Sequence, residues 1–354
     1  MKTEMTSMER VLTALSHQEP DRVPLLLLFS LYGARELEMS IKDYFMDPEL
    51  VVKTQLMLQK KYRSDCLYSF AYGAIETEAF GGEVVFTDDG PPNAGEPLIG
   101  SLDLIPSLNL PDIGSSPGLQ RILAVTRGLK QAAGDSIPII GVVVAPFSLP
   151  VMQLGFEKYL ELIYFRPELF AQLMALNSAF CVKWANAQLA AGATAICYFN
   201  PLASPTMIEK DTYLKIAYPL DCQTLAKIKG PTATHLASGI TLPVLDEIIA
   251  SKTAILGFGQ CDDVTCLKAR ASHKIALVGN LNAIEMVNWS PEKAQSTVKT
   301  LISQAAAGGG FLISDSHGEI PYQVPPEVLV NIADTVAEWG QYPLKSIGVD
   351  QDAS

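Results

Sequence analysis

Histidine is scarce in this sequence: four occur in 354 residues, His17, His235, His273 and His317. Any chemistry that needs an imidazole, as acid/base catalyst or metal ligand, must draw on these four. The six cysteines, Cys66, Cys181, Cys197, Cys222, Cys261 and Cys266, are scattered, with no C-x-x-C among them. That spacing excludes a disulfide framework and leaves buried free thiols in a reducing compartment as the default. Cations are in deficit, 26 Lys and Arg against 38 Asp and Glu, for a net charge of −12. Affinity for nucleic acid comes mainly from cations on phosphates, so this balance argues against DNA or RNA and equally against an anionic membrane. Long apolar runs are missing too. Val23–Phe29 and Ile139–Pro146 are strand-length, far short of the roughly 20 residues that span a bilayer. Residues 1–22 are polar and mixed in charge, without the apolar core of a signal peptide. A cytoplasmic protein is the expectation.

What is present is ample apolar material, 48% of residues against 18% charged. Short apolar runs alternate with amphipathic segments along most of the chain. Strands are predicted at Val23–Phe29, Ser64–Phe70, Pro138–Ala145, Ala195–Phe199, Thr232–Ala237, Ile255–Phe258, Ile275–Val278 and Gly310–Ser314. Helices follow them, among them Pro48–Tyr62 with Asp47 as N-cap and a pair over Phe156–Ala191 broken at Arg166-Pro167. Eight such units predict a single (β/α)8 TIM barrel over residues 1–354. An N-terminal helical segment, Met8–Ser16, and a β-hairpin excursion around Glu83–Thr87 complete the picture. Gly308-Gly309-Gly310 precedes a strand instead of joining strand to helix, so it is neither a dinucleotide turn nor a P-loop.

In a barrel, polar residues at the C-terminal strand ends are the functional suspects. Read in order, these are Asp65 and Tyr68, then Tyr198 with Asn200, His235, Cys261, Asn280, and lastly Asp315, His317 and Glu319. A lone histidine at such a place is more often a hydrogen-bonded structural residue. Two at one rim, His235 and His317, point to acid/base or metal chemistry. Asp315, Glu319 and Cys261 are candidate third partners.

Several strings, taken in order and spacing, resemble the uroporphyrinogen decarboxylase superfamily, and within it the cobalamin-dependent methyltransferase branch. They are Met8-Glu9-Arg10-Val11 with Pro20-Asp21-Arg22-Val23-Pro24, Glu78-Ala79-Phe80-Gly81-Gly82, Thr234-His235-Leu236-Ala237, Gly279-Asn280-Leu281-Asn282, and His317-Gly318-Glu319-Ile320-Pro321. The resemblance covers essentially the whole chain. The decarboxylases carry an arginine-bearing motif after the first strand that binds substrate carboxylates; Leu28–Arg35 has no close match to it. Asp65 is the counterpart that the resemblance offers for their catalytic aspartate. The methyltransferase branch binds zinc through an H-x-C pair and a later cysteine. Here His235 keeps the histidine, Ala237 stands at the first cysteine, and His317 stands at the second.

The leading expectation is therefore a methyltransferase that takes a methyl group from a methylcorrinoid, supplied by a partner corrinoid protein, and passes it to a small acceptor. In it, His235 and His317 bind metal (zinc) or acceptor, Asp65 and Glu78 position the acceptor or manage a proton, and Tyr68, Tyr198, Asn200, Asn280, Cys261 and Glu319 line the substrate site. Glu78 reads equally as a carboxylate satisfied by backbone donors, and Asn280 as a turn residue. Two alternatives stand beside it: a decarboxylase of another acid, with Asp65 protonating the carbanion, and a non-catalytic corrinoid- or ligand-binding barrel. A homodimer is compatible with each.

Overall fold

The apolar runs become strands and the segments between them helices, much as the alternation predicts. The computed structural model describes residues 4–345. Its strands are β1 (Leu25–Leu26), β2 (Leu67–Tyr68), β3 (Val84–Val85), β4 (Asn93–Ala94), β5 (Ile139–Val144), β6 (Ala195–Phe199), β7 (Thr232–His235), β8 (Ile255–Gly257), β9 (Ala276–Leu281) and β10 (Phe311–Asp315). All but β3 and β4 form one eight-stranded sheet in the order β1-β10-β9-β8-β7-β6-β5-β2, every pair parallel. Its two ends meet. The Asp65 N–H donates to the Leu25 carbonyl at 2.6 Å, and the Leu27 N–H donates to the Ser64 hydroxyl at 3.1 Å. The chain is a (β/α)8 barrel with the predicted hairpin, β3 pairing β4 antiparallel, set after the second strand.

β1 and β2 are much shorter than the predicted Val23–Phe29 and Ser64–Phe70. At this seam side chains take the place of backbone partners. Gln55 donates to the Phe29 carbonyl at 2.5 Å and accepts the Tyr68 N–H at 3.2 Å. Asp47 caps the Pro48–Tyr62 helix as predicted, accepting the N–H groups of Glu49 and Leu50 at 3.0 and 3.1 Å. The helix pair breaks where Arg166-Pro167 predicts, into Phe156–Phe165 and Pro167–Ala191. The Tyr213–Lys229 prediction resolves into a π-helical turn, Tyr213–Ala217, and a helix, Tyr218–Leu225. Pro219, with no N–H to give, accounts for the widened turn. Among the described residues no helix is long and apolar enough to cross a membrane.

Side-chain alternation along the strands sorts residues between two cores. Leu26, Cys66, Tyr68, Val142, Cys197, Ala276 and Leu312 fill the barrel interior, with Phe199 packed on them. Ile196 and Tyr198, the intervening residues of β6, pack outward against the helices.

Candidate active site

The strand ends converge on a cavity of about 260 Å³ at the barrel mouth. Its wall is largely apolar and aromatic. Tyr68, Phe70, Tyr72 and Phe199 line it, while its polar groups are Ser148, His317 and Glu319. Among the described residues no lysine or arginine lines it. The loop after β10 supplies the polar edge. Asp315 ends the strand and accepts the N–H groups of His317 and Gly318 at 3.0 and 2.6 Å through one carboxylate oxygen. Its other oxygen is buried with no partner. Gly318, at φ 95°, turns the chain so that its carbonyl accepts the Tyr68 hydroxyl at 2.8 Å. Glu319 accepts the Ser30 hydroxyl. Burial pushes the Asp315 carboxyl up to about 6 and that of Glu319 to about 7, the charge of Asp315 adding to the latter.

His235 ends β7 and lies behind this wall. Its ring meets Phe199 at 5.7 Å between centroids. Gly257, its partner on β8, leaves room for the imidazole; an added Cβ there overlaps the ring. The His235 Nδ1 accepts the Ala237 N–H at 2.9 Å. Burial first, and the neighbouring His317 second, push His235 down to about 4, so it is a neutral imidazole. Burial also lowers His317. Its Nδ1 lies 3.1 Å from the Ser316 hydroxyl.

A buried relay stands behind Ser148. The Ser148 hydroxyl donates to Asn200 Oδ1 at 2.7 Å and accepts the Leu202 N–H at 3.1 Å. The Asn200 amide donates to both oxygens of Asp221 at 3.0 Å, and the Tyr198 hydroxyl donates to Asp221 at 2.7 Å. Asn200 and Tyr198 therefore act through Asp221 and Ser148, and neither lines the cavity. Asp221, pushed up to about 7 by burial, escapes sequence reading because it sits on the Tyr218–Leu225 helix, away from any strand end.

Other predicted residues fall elsewhere. Asp65 precedes β2 and so lies at the N-terminal pole, opposite the mouth. There it accepts from Ser7, Arg10, Arg22 and the Leu25 N–H at 2.7 to 3.1 Å. This corrects its reading as a catalytic strand-end residue: its lone pairs are spent on closing the barrel. Tyr198 points outward, because β6 alternates. Glu78 sits half-buried on the Ala74–Ala79 helix and accepts the Tyr72 hydroxyl at 3.2 Å, behind the cavity wall. Cys261 is exposed in the loop after β8. Asn280 lies within β9, donates to the Gly259 carbonyl at 3.0 Å and borders a separate groove. Only Tyr68, His317 and Glu319 of the predicted set line the cavity, with His235 adjoining it through Phe199.

Residues 6–339 match the family model described as uroporphyrinogen decarboxylase (URO-D). The chain belongs to that family. Among its curated relatives, the uroporphyrinogen decarboxylase of Tolumonas auensis is 25% identical over 92% of this chain and 95% of its own. That of Methylococcus capsulatus is 24% identical over 86% and 88%. Among solved structures, a methyltransferase from Methanosarcina mazei superposes with a TM-score of 0.83 at 18% identity, covering 95% of this chain and 99% of its own. A B12-independent methionine synthase from a Shewanella species gives 0.55 at 12% identity, covering 92% and 98%. These two likenesses establish the shared barrel.

The zinc site that the methyltransferase branch implies does not fit these donors. Zinc needs three or four protein ligands, and among the described residues no group of three His, Cys, Asp or Glu side chains is placed to hold a metal ion. Ala237 offers no sulfur. A zinc-bound histidine gives one ring nitrogen to the metal and donates a proton from the other. His235 instead accepts a hydrogen bond at Nδ1, which leaves the proton on Nε2. Protein purified without chelator is therefore expected to carry less than about a tenth of an equivalent of zinc, a level set by the missing ligands. Atomic emission analysis checks this, with His235→Ala expected to leave the content unchanged. Stoichiometric zinc lost in that variant contradicts the assignment.

Proposed function

We propose that this chain is a methyl-transfer enzyme of its family, acting on a small, largely apolar acceptor held at the barrel mouth, with a methylcorrinoid carried by a partner protein as donor. The family holds both decarboxylases and methyltransferases among its enzymes, and the two chemistries make opposite demands on this cavity. An octa-acidic porphyrinogen needs room for a macrocycle and cations for its carboxylates. The cavity is about 260 Å³ and has no lysine or arginine in its wall among the described residues. That single observation carries the reading. A small, largely apolar cavity suits an acceptor that must shed water before its lone pair attacks a methyl carbon.

Roles follow from chemistry. Tyr68, Phe70, Tyr72 and Phe199 exclude water and orient the acceptor. Glu319, near 7, takes a proton from the acceptor at neutral pH. His317 sits beside it as the second proton-handling group. A corrinoid is too large to enter and would cover the opening, where exposed Met207, in the loop after β6, and Ile284, on the short helix Ala283–Met286 after β9, offer apolar contact. The group supplies an electrophilic methyl carbon. The test follows methylcobalamin absorbance with protein and a panel of small acceptors. Acceptor-dependent loss of the methyl form is expected, reduced about 10²-fold or more in Glu319→Gln, which cannot take the proton. No loss with any amine, thiol or phenol overturns the proposal.

A further inference from the structure

We infer that the barrel-mouth cavity takes a small organic ammonium ion, its aromatic walls, free carboxylate and acceptor-only hydroxyls being complementary to a positive charge that carries N–H or O–H groups. The amine so captured is then the methyl acceptor, a step that rests on the proposed function, whereas the binding does not.

Three sets of groups point the same way. First, Tyr68, Phe70, Tyr72 and Phe199 line the cavity, and the faces of aromatic rings attract organic cations, most strongly where water is excluded. Second, Glu319 lines the wall with no lysine or arginine beside it among the described lining residues. Asp315, in the strand end leading to it, keeps one oxygen unpartnered. A buried carboxyl pair without a counter-charge is costly, and a bound cation relieves it. Third, the hydroxyl protons of the wall are already committed. Tyr68 gives its proton to the Gly318 carbonyl and Ser148 gives its own to Asn200. Asn200 cannot turn its amide around, because that amide donates to both oxygens of Asp221. Tyr68 and Ser148 therefore have only lone pairs left to offer a ligand. A carboxylate or ketone would meet acceptors, while an ammonium N–H or a neighbouring hydroxyl would be satisfied. His317 is the one lining group whose polarity is open, through its contact with Ser316.

In transfer, the ammonium proton passes to Glu319 and the freed nitrogen pair forms the new N–C bond. The bond between methyl and carrier breaks, and its electron pair stays with the carrier.

Choline and its uncharged carbon analogue, 3,3-dimethylbutan-1-ol, differ only in the charge and test binding alone, because choline has no nitrogen pair to methylate. Calorimetric titration of the wild-type protein is expected to give choline at least about tenfold tighter binding than the alcohol. Glu319→Gln, which keeps the size of the side chain, is expected to abolish most of that preference in a protein that melts no lower than the wild type. Phe199→Leu, a second variant, should weaken choline and leave the alcohol nearly unaffected. Equal affinity for the two probes, no binding of either at millimolar concentration, or an undiminished preference in Glu319→Gln overturns the inference. Choline binding without methyl transfer to any amine, thiol or phenol leaves it standing and removes the proposed function instead.

Discussion

Replacing Asp65 with alanine is expected to cost roughly 3–5 kcal/mol of stability, the range for breaking a buried ion pair by removing one partner. Asp65 is 1% exposed and Arg10 4%. The carboxylate receives Arg10 and Arg22 at 2.7 Å each and the Leu25 N–H at 2.9 Å. Alanine leaves Arg10 buried with only Asp21 to answer it, and orphans the N–H that begins β1. The loss falls at a vulnerable place. β1 and β2 are the two ends of the sheet, and Asp65 ties them together through its side chain and its own N–H. Urea denaturation checks the expectation, and Asp65→Asn should lose less because it still accepts from Leu25. The folded fraction of either variant should keep its turnover. A variant of full stability and no activity would restore the catalytic reading of Asp65.

The second large effect concerns Glu76, which sequence reading did not single out. It is buried on the Ala74–Ala79 helix and accepts the Val144 N–H at 2.9 Å. Its other oxygen has no hydrogen-bond partner. Burial pushes this carboxyl from an ordinary 4.5 up to about 8. The folded protein therefore holds a proton that the unfolded chain releases above 4.5. Stability is fully present below that pH, declines as pH rises, and levels off once pH passes about 8. Each decade of pH in that window costs about 1.4 kcal/mol, so the whole effect is on the order of 5 kcal/mol. Glu76→Gln should match the wild-type protein near pH 5 and melt well above it at pH 8.5. Asp221, Asp315 and Glu319 are shifted in the same direction, so some decline remains in the variant. Melting temperatures that fall in parallel would contradict the assignment to Glu76.

The barrel was legible because parallel strands are buried on both faces and read as unbroken apolar runs. β5 through β10 lie close to where those runs place them. The short helices at the mouth, such as Tyr32–Glu36 and Pro150–Leu154, are too brief for a helical period to register. Within the site, His317 and Glu319 were legible because they follow the last strand directly. Asp65 was misplaced for a geometric reason: it stands just before β2, and in a parallel barrel that end of a strand lies at the pole opposite the other. Tyr198 was misplaced because neighbours on a strand face opposite sides. Ser148 and Asp221 carried no local signal, since their part comes from a hydrogen-bond chain that crosses three elements.

The cavity's size and missing cations are the centre of the account, and one mixture tests them directly. Protein is incubated with uroporphyrinogen, a methylcorrinoid bearing a ¹³C-methyl group, and a panel of small amines, and the products are separated by mass. Label appearing on an amine while the porphyrinogen keeps all its carboxylates is the predicted result. Stepwise loss of carboxylates with the label left on the corrinoid would contradict it.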